Sequence, residues 1–305
     1  MFRAVSGRKV EQLVRFDNRW GFALALVAAL AAWVPMRRWR VWGLWGVGAL
    51  LTACALPPVP PATAPDDDTA ATVPVAPPVY SKAAQRAARG LFKTPETARE
   101  WTPFVLPGKA FAPFDAVDVQ GRPALVVAAE RSVSILRQQT DTVPVQAGHL
   151  AFSWRVDGLA HGADLTDAQH EDSPVRIVLA FDGDRARLAP RVHRLSELTR
   201  LLTGEPLPYA SLVYVWSNTE PVGTVLVSPR TDRIRKLVVE SGPDQLGRWR
   251  DHERDVYADF LQAFGEHPGP LVAVALMTDT DNTQSRLNAW YGALTLSPRV
   301  ADAPR

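Results

Sequence analysis

Residues 212–228, LVYVWSNTEPVGTVLVS, form two short runs rich in valine, leucine and aromatic residues, separated by a polar segment that contains proline and glycine. Short runs of such residues between Asn, Pro and Gly are typical of β-strands joined by turns. The stretch therefore predicts strands at 212–217 and 223–228.

The same composition recurs along most of the C-terminal two thirds of the chain. Further candidate strands lie at 114–119, 124–130, 132–138, 150–156, 175–181, 234–240, 271–279 and 290–297. Helical patterns occur at 81–92 and 256–266, and no glycine-rich phosphate-binding motif or strand–helix alternation is found. We therefore predict an all-β fold, an antiparallel β-sandwich (jelly roll) with four or five strands in each sheet and one or two short helices.

The positive charge of the chain belongs to its N-terminus. Residues 1–53 carry eight Lys or Arg against two acidic residues, a formal charge of +6, whereas the whole chain carries +2. The remaining 252 residues therefore sum to −4. A domain with that charge does not indicate a nucleic-acid partner.

The segment from Met36 to Cys54 has the order of a secretory signal. A cationic MRRWR is followed by the ten apolar residues VWGLWGVGAL and then by LTAC. The last four residues, 51–54, resemble a bacterial lipobox, which implies that the thiol of Cys54 is acylated. Ten apolar residues are too few to cross a bilayer, which takes roughly 20. The pattern predicts a lipid anchor at Cys54.

The residues before Met36 leave two interpretations open. A second apolar run at 20–35 is separated from the first by the arginines of MRRWR, which would lie inside the membrane if both runs formed one helix. Either the two runs form a short membrane hairpin, or translation starts at Met36.

The composition divides the chain into five parts. We predict a leader at 1–53, a tether at 54–80 with eight prolines between 57 and 78, a helical or irregular lead-in at 81–112, the sandwich at 113–298 and a tail at 299–305. Ala55 stands where resemblance to enterobacterial lipoproteins would place Asp for inner-membrane retention. The expected location is therefore the cell envelope, on the outer membrane and facing the periplasm.

The segment MTDTDNTQS, residues 277–285, follows a predicted strand. It places Asp279, Asp281, Asn282 and Thr283 close together, and such oxygen donors suit a hard cation. A structural Ca²⁺ is the one candidate cofactor, and none is certain. The alternative is a turn in which these side chains bond nearby backbone groups.

Several side chains on the predicted strands are candidates for ligand binding. Trp154, Tyr214 and Trp216, with Trp249 and Trp290, would form a stacking surface for sugar rings if exposed. Tyr214 and Trp216 share one face of a strand, as core residues also would.

Charged candidates complete the set. His252 or Glu253 in RWRDHERDVYAD would serve as an acid or base opposite Asp279 or Asp281, or this segment is a solvated edge strand with weak ion pairs. Arg176 lies in an otherwise apolar strand, and we expect it to point outward or to pair with Asp279 or Asp281.

Some of these segments support a resemblance. SPVRIVLAFDGD (173–184), RWRDHERDV (248–256) and MTDTDNT (277–283) are similar to a bacterial family known only as a domain of unknown function, over residues 113–297. The resemblance implies no activity. An acidic turn before an aromatic-bearing last strand is also loosely similar to the galactose-binding-like jelly rolls that include carbohydrate-binding modules, which implies a glycan ligand.

Three functional hypotheses follow. The first is a lipid-anchored envelope protein with a non-catalytic domain that binds a glycan or another envelope component. The second is a carbohydrate-active hydrolase or lyase, which needs two carboxylates, or one carboxylate and His252, in one cleft. The third is a structural or assembly partner in an envelope complex.

Overall fold

A computed structural model describes residues 80–94, 99–143 and 148–298. The leader, Cys54, residues 55–79 and the tail from 299 lie outside these ranges. No helix in the described part combines the length and the hydropathy that a bilayer-spanning segment needs.

The described elements are thirteen strands and three α-helices. In chain order they are α1 Lys82–Leu91, β1 Phe92–Lys93, β2 Thr102–Pro103, β3 Phe114–Val119, β4 Arg122–Glu130, β5 Val133–Val143, β6 Gly148–Val156, β7 Ser173–Phe181, α2 Pro190–Thr203, β8 Ala210–Ser217, β9 Val225–Ser228, β10 Thr231–Ser241, β11 Arg250–Asp255, α3 Val256–Phe264, β12 Leu271–Asp279 and β13 Arg286–Pro298.

The strands form two sheets. The six-stranded sheet has the order β11-β6-β13-β4-β3, with β1 beside β13, and the seven-stranded sheet has the order β2-β5-β12-β7-β8-β10-β9. All neighbours are antiparallel except β8 with β10 and β1 with β13. The all-β sandwich prediction is confirmed, but the sheets are larger than the four or five strands expected.

The main core lies between the two sheets. Alternate residues of each strand point into it, as the two-residue period of a strand requires. Val175, Ile177 and Leu179 of β7 and Val274 and Leu276 of β12 belong to this core. The intervening residues of these strands face the outer side of the seven-stranded sheet, where a second, smaller apolar cluster forms around Val213, Val215 and Val238. Central strands covered on both faces read as nearly continuous apolar runs, which is the pattern of β8.

Helices α1 and α3 confirm the two helical predictions, and both begin at a side-chain cap. Ser81 accepts a hydrogen bond from the backbone N–H of Ala84, and Asp255 accepts one from that of Ala258.

Helix α2 was not predicted. It begins with Pro190 in its first turn and ends at Gly204, which has a φ of 82°.

Candidate ligand-binding groove

The outer face of the seven-stranded sheet carries a groove of about 900 Å³. Strands β7 and β12 run through its centre. Ala275 and Val178, which are register partners, line the groove, whereas the next pair, Leu276 and Ile177, belongs to the core. The alternation of side chains thus separates a binding face from the packing face of the same strands.

The floor of the groove is aliphatic. Its apolar side chains come from strands β5, β7, β8, β10 and β12, and they are Val133, Ile135, Val178, Ala180, Val213, Ile234, Val272, Ala273, Ala275 and Met277. Among the described residues, Phe104 is the only Phe, Tyr or Trp in the lining, and the guanidinium carbon of Arg137 lies 4.2 Å from the centre of its ring. The groove therefore offers apolar contact without an open aromatic platform.

Helix α2 and the segment after it form one wall. His193, Ser196 and Thr199 of α2 line the groove together with residues 205–208. Arg137 of β5 donates two hydrogen bonds to Glu205, at 2.7 and 2.9 Å, which ties this wall to the sheet.

The opposite end of the groove is charged. Arg176 on β7 lies 3.3 Å from a carboxylate oxygen of Asp279, the last residue of β12, and also donates to the backbone carbonyl of Glu171. Both side chains are about nine-tenths buried. Asp279 is therefore the acidic partner that we expected for Arg176. The pairing matters because a cation buried without an acidic neighbour is costly.

The acidic turn after β12 is held by its own neighbours. Lys109 pairs with Asp281. Asp172 accepts hydrogen bonds from the backbone N–H groups of Asn282, at 3.3 Å, and Thr283, at 2.8 Å, and from the Thr283 hydroxyl at 2.6 Å. Asp172 therefore fixes the turn that places Asp279 and Asp281 at the groove.

A second group of charges lies beside this turn, around Glu171. Its carboxylate accepts hydrogen bonds from Ser228 at 3.1 Å and from Arg230 at 2.7 Å, and Lys236 lies 2.5 Å away. Lys236 also donates to the backbone carbonyl of Leu165. Two cations thus share one carboxylate.

The electrostatics of these groups follow from burial and from their neighbours. Burial would raise the pKa of Glu171, but Lys236, Arg176 and Arg230 outweigh it, so the pKa is below its usual value. Burial, together with the two guanidinium groups, lowers the pKa of Lys236 to about 8. Burial raises the pKa of Asp279 well above its usual range, although Arg176 opposes this effect.

The structure places Trp154, Tyr214 and Trp216 in the core, all with no exposed surface. The Tyr214 hydroxyl donates to Asp259 at 2.8 Å, and the Trp216 indole N–H donates to the carbonyl of Gly242 at 3.0 Å. The prediction that these rings form a stacking surface is wrong, because their faces of the strands point between the sheets. Trp249 and Trp290 are half-buried on the outer face of the six-stranded sheet.

His252 lies beside the core and not in the groove, with its side chain about 12% exposed. It lies on β11, the edge strand of the six-stranded sheet, and its ring stacks on Phe152 with centroids 5.0 Å apart. Burial lowers its pKa to about 4, with Arg250 and Arg254 adding to the effect. The imidazole lies 3.5 Å from Glu240 on the other side of the sandwich from the groove, so the pairing with Asp279 or Asp281 expected from the sequence is wrong. The segment is an edge strand, as the alternative held, but its pairs with Arg250 and Arg254 involve the buried carboxylates of Glu240 and Asp259 and are not solvated.

The predicted metal ligands divide into two pairs. Asp279 and Asp281, joined by Asp172, each offer an oxygen within 4.8 Å of the others. Asn282 and Thr283 instead hold the turn, since the Asn282 amide donates to the carbonyl of Ala168 at 3.1 Å. Arg176 and Lys109 pair with Asp279 and Asp281, but one carboxylate oxygen of each, Asp279 Oδ1 and Asp281 Oδ1, is buried without a hydrogen-bond partner among the described residues. Structural calcium stays a prediction.

One family model, described as "Protein of unknown function (DUF3047)", matches residues 99–295. The chain belongs to this family. The matched range of this DUF3047 chain contains every groove residue named above. A search of curated proteins found no match.

Solved structures similar to this DUF3047 chain include glycoside hydrolases and carbohydrate-binding modules. The xyloglucanase domain of NopAA, a type three effector from Sinorhizobium fredii, in complex with cellobiose, has 9% identity and a TM-score of 0.37 over 68% of this chain and 96% of that one. The endo-1,4-β-glucanase CelB2 has 12% identity and a TM-score of 0.33 over 61% and 97%.

A family 29 carbohydrate-binding module complexed with mannohexaose has 10% identity and a TM-score of 0.28, over 68% of this chain and 88% of the module. At such values none of these likenesses carries an argument about the ligand of this DUF3047 chain.

At the charged end of the groove, sequence reasoning missed five charged residues. They are Lys109, Glu171, Asp172, Arg230 and Lys236. One of them left a weak signal: Lys236 follows Arg235 between the apolar residues of IRKLVVE, whereas Arg176 is the single cation of VRIVLAF. A lone charge in a strand buried on both faces indicates a paired cation, and pairing needs acidic partners from elsewhere.

Proposed function

We propose that this DUF3047 chain is a lipid-anchored protein of the cell envelope whose sandwich holds a ligand in the groove without transforming it. The observation that carries the proposal is the groove itself, with an aliphatic floor and charged ends on one face of the seven-stranded sheet. Concave, largely apolar sites with a few placed polar groups are the usual form of a small-molecule site.

The leader and the tether support the location. The lipobox-like LTAC, the cationic and apolar residues before it and the prolines after it fit a domain held away from a membrane surface. The envelope location, on the outer membrane facing the periplasm, is part of the same proposal. Mass spectrometry of the mature N-terminus is expected to give a diacylglyceryl-modified Cys54, and Cys54→Ala is expected to move the chain from the membrane to the soluble fraction. An unmodified N-terminus upstream of Cys54 would overturn the anchor.

Ala275→Phe tests the groove directly. Ala275 is buried on the floor, so a phenyl ring there occupies ligand space, whereas Ala128→Phe adds the same ring to an exposed position of β4 in the other sheet. The full chain, kept soluble in amphipol, is mixed with laurate, neutral cello-oligosaccharides and peptidoglycan fragments, and its melting temperature is recorded.

A ligand that binds only the folded state raises the melting temperature. We expect at least one member of the panel to do so with the unmodified chain and Ala128→Phe, but not with Ala275→Phe, and to be recovered with unchanged mass. No response from any member, or an equal response from Ala275→Phe, would contradict the proposal.

A hydrolase or lyase acting on carbohydrates is the second candidate, and one observation favours it. Asp279 and Asp281 bring two carboxyl groups into one groove, which is the arrangement that such chemistry needs. Each of them also pairs with a cation, Arg176 or Lys109. Release of a cleaved product that disappears with Asp279→Asn would establish the enzyme; recovery of intact ligand supports the binding function.

A further inference from the structure

We infer that the ligand of the groove is a single-chain anionic amphipath, a fatty acid, whose acyl chain lies on the aliphatic floor and whose carboxylate lies beside Arg230, Lys236 and Arg176. This inference rests on the proposed function and names the class of ligand.

The floor argues for an acyl chain. Ten aliphatic or thioether side chains from five neighbouring strands line it, and one aromatic ring, Phe104, is covered by Arg137. Sugar rings need aromatic stacking or many polar partners, whereas an alkyl chain gains from each methylene that leaves water, roughly 0.8 kcal/mol. An alkyl chain therefore matches this lining better than a glycan does.

The charged end argues for an anion. The charges that face Lys236 are one carboxylate, Glu171, and two guanidinium groups, Arg176 and Arg230. Because Arg176 is paired with Asp279, Glu171 is the carboxylate that pairs with both Arg230 and Lys236. Around Lys236 the cations therefore outnumber the carboxylates, although the charged end as a whole, with Lys109, Asp281 and Asp172 included, is balanced at four cations and four carboxylates.

Two buried hydrogen-bond donors without an acceptor also indicate an anionic ligand. Arg176 Nε and Arg230 Nη1 are buried and have no acceptor among the described residues. Arg176 is 8% exposed, and both residues line the groove. Buried donors without acceptors are costly, and an acceptor group supplied by a ligand would satisfy them.

The charge balance of this end also bears on the head group. A fatty-acid carboxylate carries one negative charge, whereas a phosphate monoester carries roughly −1.5 to −2 at neutral pH, so the carboxylate adds less charge to an end that is balanced as a whole. A free fatty acid is therefore the expected occupant.

Photo-crosslinking of the full chain in its membrane tests this inference. The probe is a twelve-carbon fatty acid with a diazirine in its chain, and labelled peptides are mapped by mass spectrometry. We expect labels on β7 and β12 that excess laurate removes and that lauryl alcohol, the uncharged analogue, removes at least about tenfold less effectively. Equal competition by lauryl alcohol would overturn the carboxylate site.

Two matched arginines separate binding from folding. Arg230 pairs with Glu171 and Arg233 pairs with Glu266; both arginines are largely buried, and only Arg230 lines the groove. Arg230→Gln is expected to weaken laurate competition about tenfold or more, whereas Arg233→Gln leaves it unchanged. Equal effects of the two substitutions would overturn the assignment, and melting temperatures of both variants check that each is folded.

The outcome also distinguishes this inference from the proposed function. Suppose that the diazirine probe leaves β7 and β12 unlabelled, while an oligosaccharide shifts the melting temperature of the unmodified chain but not of Ala275→Phe. The fatty-acid inference is then wrong, and the proposal that the groove binds a ligand is retained. If neither occurs, both fail.

Discussion

The Arg176 guanidinium lies 3.3 Å from the carboxylate of Asp279, which joins the lone cation of β7 to the last residue of β12. Both residues lie on the groove side of the seven-stranded sheet. The pair places the acidic turn at one end of the groove and brings a buried positive charge to the same point. It therefore links the stability of the sheet to the chemistry of its binding face.

Removing one partner of this pair is expected to destabilise the fold. Arg176→Met leaves the Asp279 carboxyl without its cation in a buried position, and the expected loss is about 3 kcal/mol in the free energy of unfolding. The double variant Arg176→Met, Asp279→Leu is expected to lose less than the two single variants together, by at least about 1 kcal/mol. Urea unfolding of the four chains measures the coupling, and strictly additive losses would show that the pair does not interact.

Lys236 is expected to make stability depend on alkaline pH. Its pKa is about 8 in the folded chain, against an ordinary value of 10.5, because burial and the neighbouring Arg176 and Arg230 outweigh Glu171. The unfolded chain therefore binds more protons between these two values. The penalty for holding a charged lysine is present below about pH 8 and is relieved as the pH rises.

Lys236→Met provides the comparison for this pH dependence. Between pH 8 and 10 the free energy of unfolding of the unmodified chain should rise relative to that of the variant, by up to about 1.4 kcal/mol per pH unit. Groups that titrate elsewhere affect both chains equally. Parallel pH profiles from urea unfolding would contradict the lowered pKa.

His252 is expected to destabilise the fold in acid. Its pKa is about 4, below the ordinary 6.5, since burial beside Phe152 and the charges of Arg250 and Arg254 oppose protonation more than Asp251 favours it. The unfolded chain takes up the proton first, so stability falls as the pH drops from 6.5 towards 4. His252→Phe should remove this slope and leave laurate competition unchanged. A loss of ligand binding in this variant would place His252 in the site after all.

Tyr214 is expected to contribute to stability and not to binding. Its buried hydroxyl donates to Asp259 on α3, which Arg254 also contacts through two hydrogen bonds. Tyr214→Phe should therefore lower the free energy of unfolding by about 1 to 2 kcal/mol. The melting shift produced by a groove ligand should not change, and its disappearance would contradict the core assignment.

The sequence predicted most strands because their apolar runs are bounded by strong turn residues. Strands β3 and β12 have the predicted bounds, and eight others extend or trim a predicted run by a few residues.

Helix α2 was missed although Pro190 and Gly204 mark its ends. Its residues PRVHRLSELTRLLT bury few apolar side chains, so no clear amphipathic pattern reveals it.

The site was harder to predict than the fold. The period of two put Tyr214 and Trp216 on one face of β8 but could not say which face points inward, and both rings are in the core. The charged end combines Lys109, Glu171, Arg176, Arg230 and Lys236, which come from distant parts of the chain. Only the pairing of the strands brings them together, and no local motif encodes that pairing.

A crystal structure of the full chain with laurate would test the central claim most directly. We expect the alkyl chain over β7 and β12, in contact with Ala275 and Val178, and the carboxylate within hydrogen-bonding distance of Arg230. Laurate bound instead on the outer face of the six-stranded sheet, beside Trp249 and Trp290, with the groove free of ligand, would contradict it.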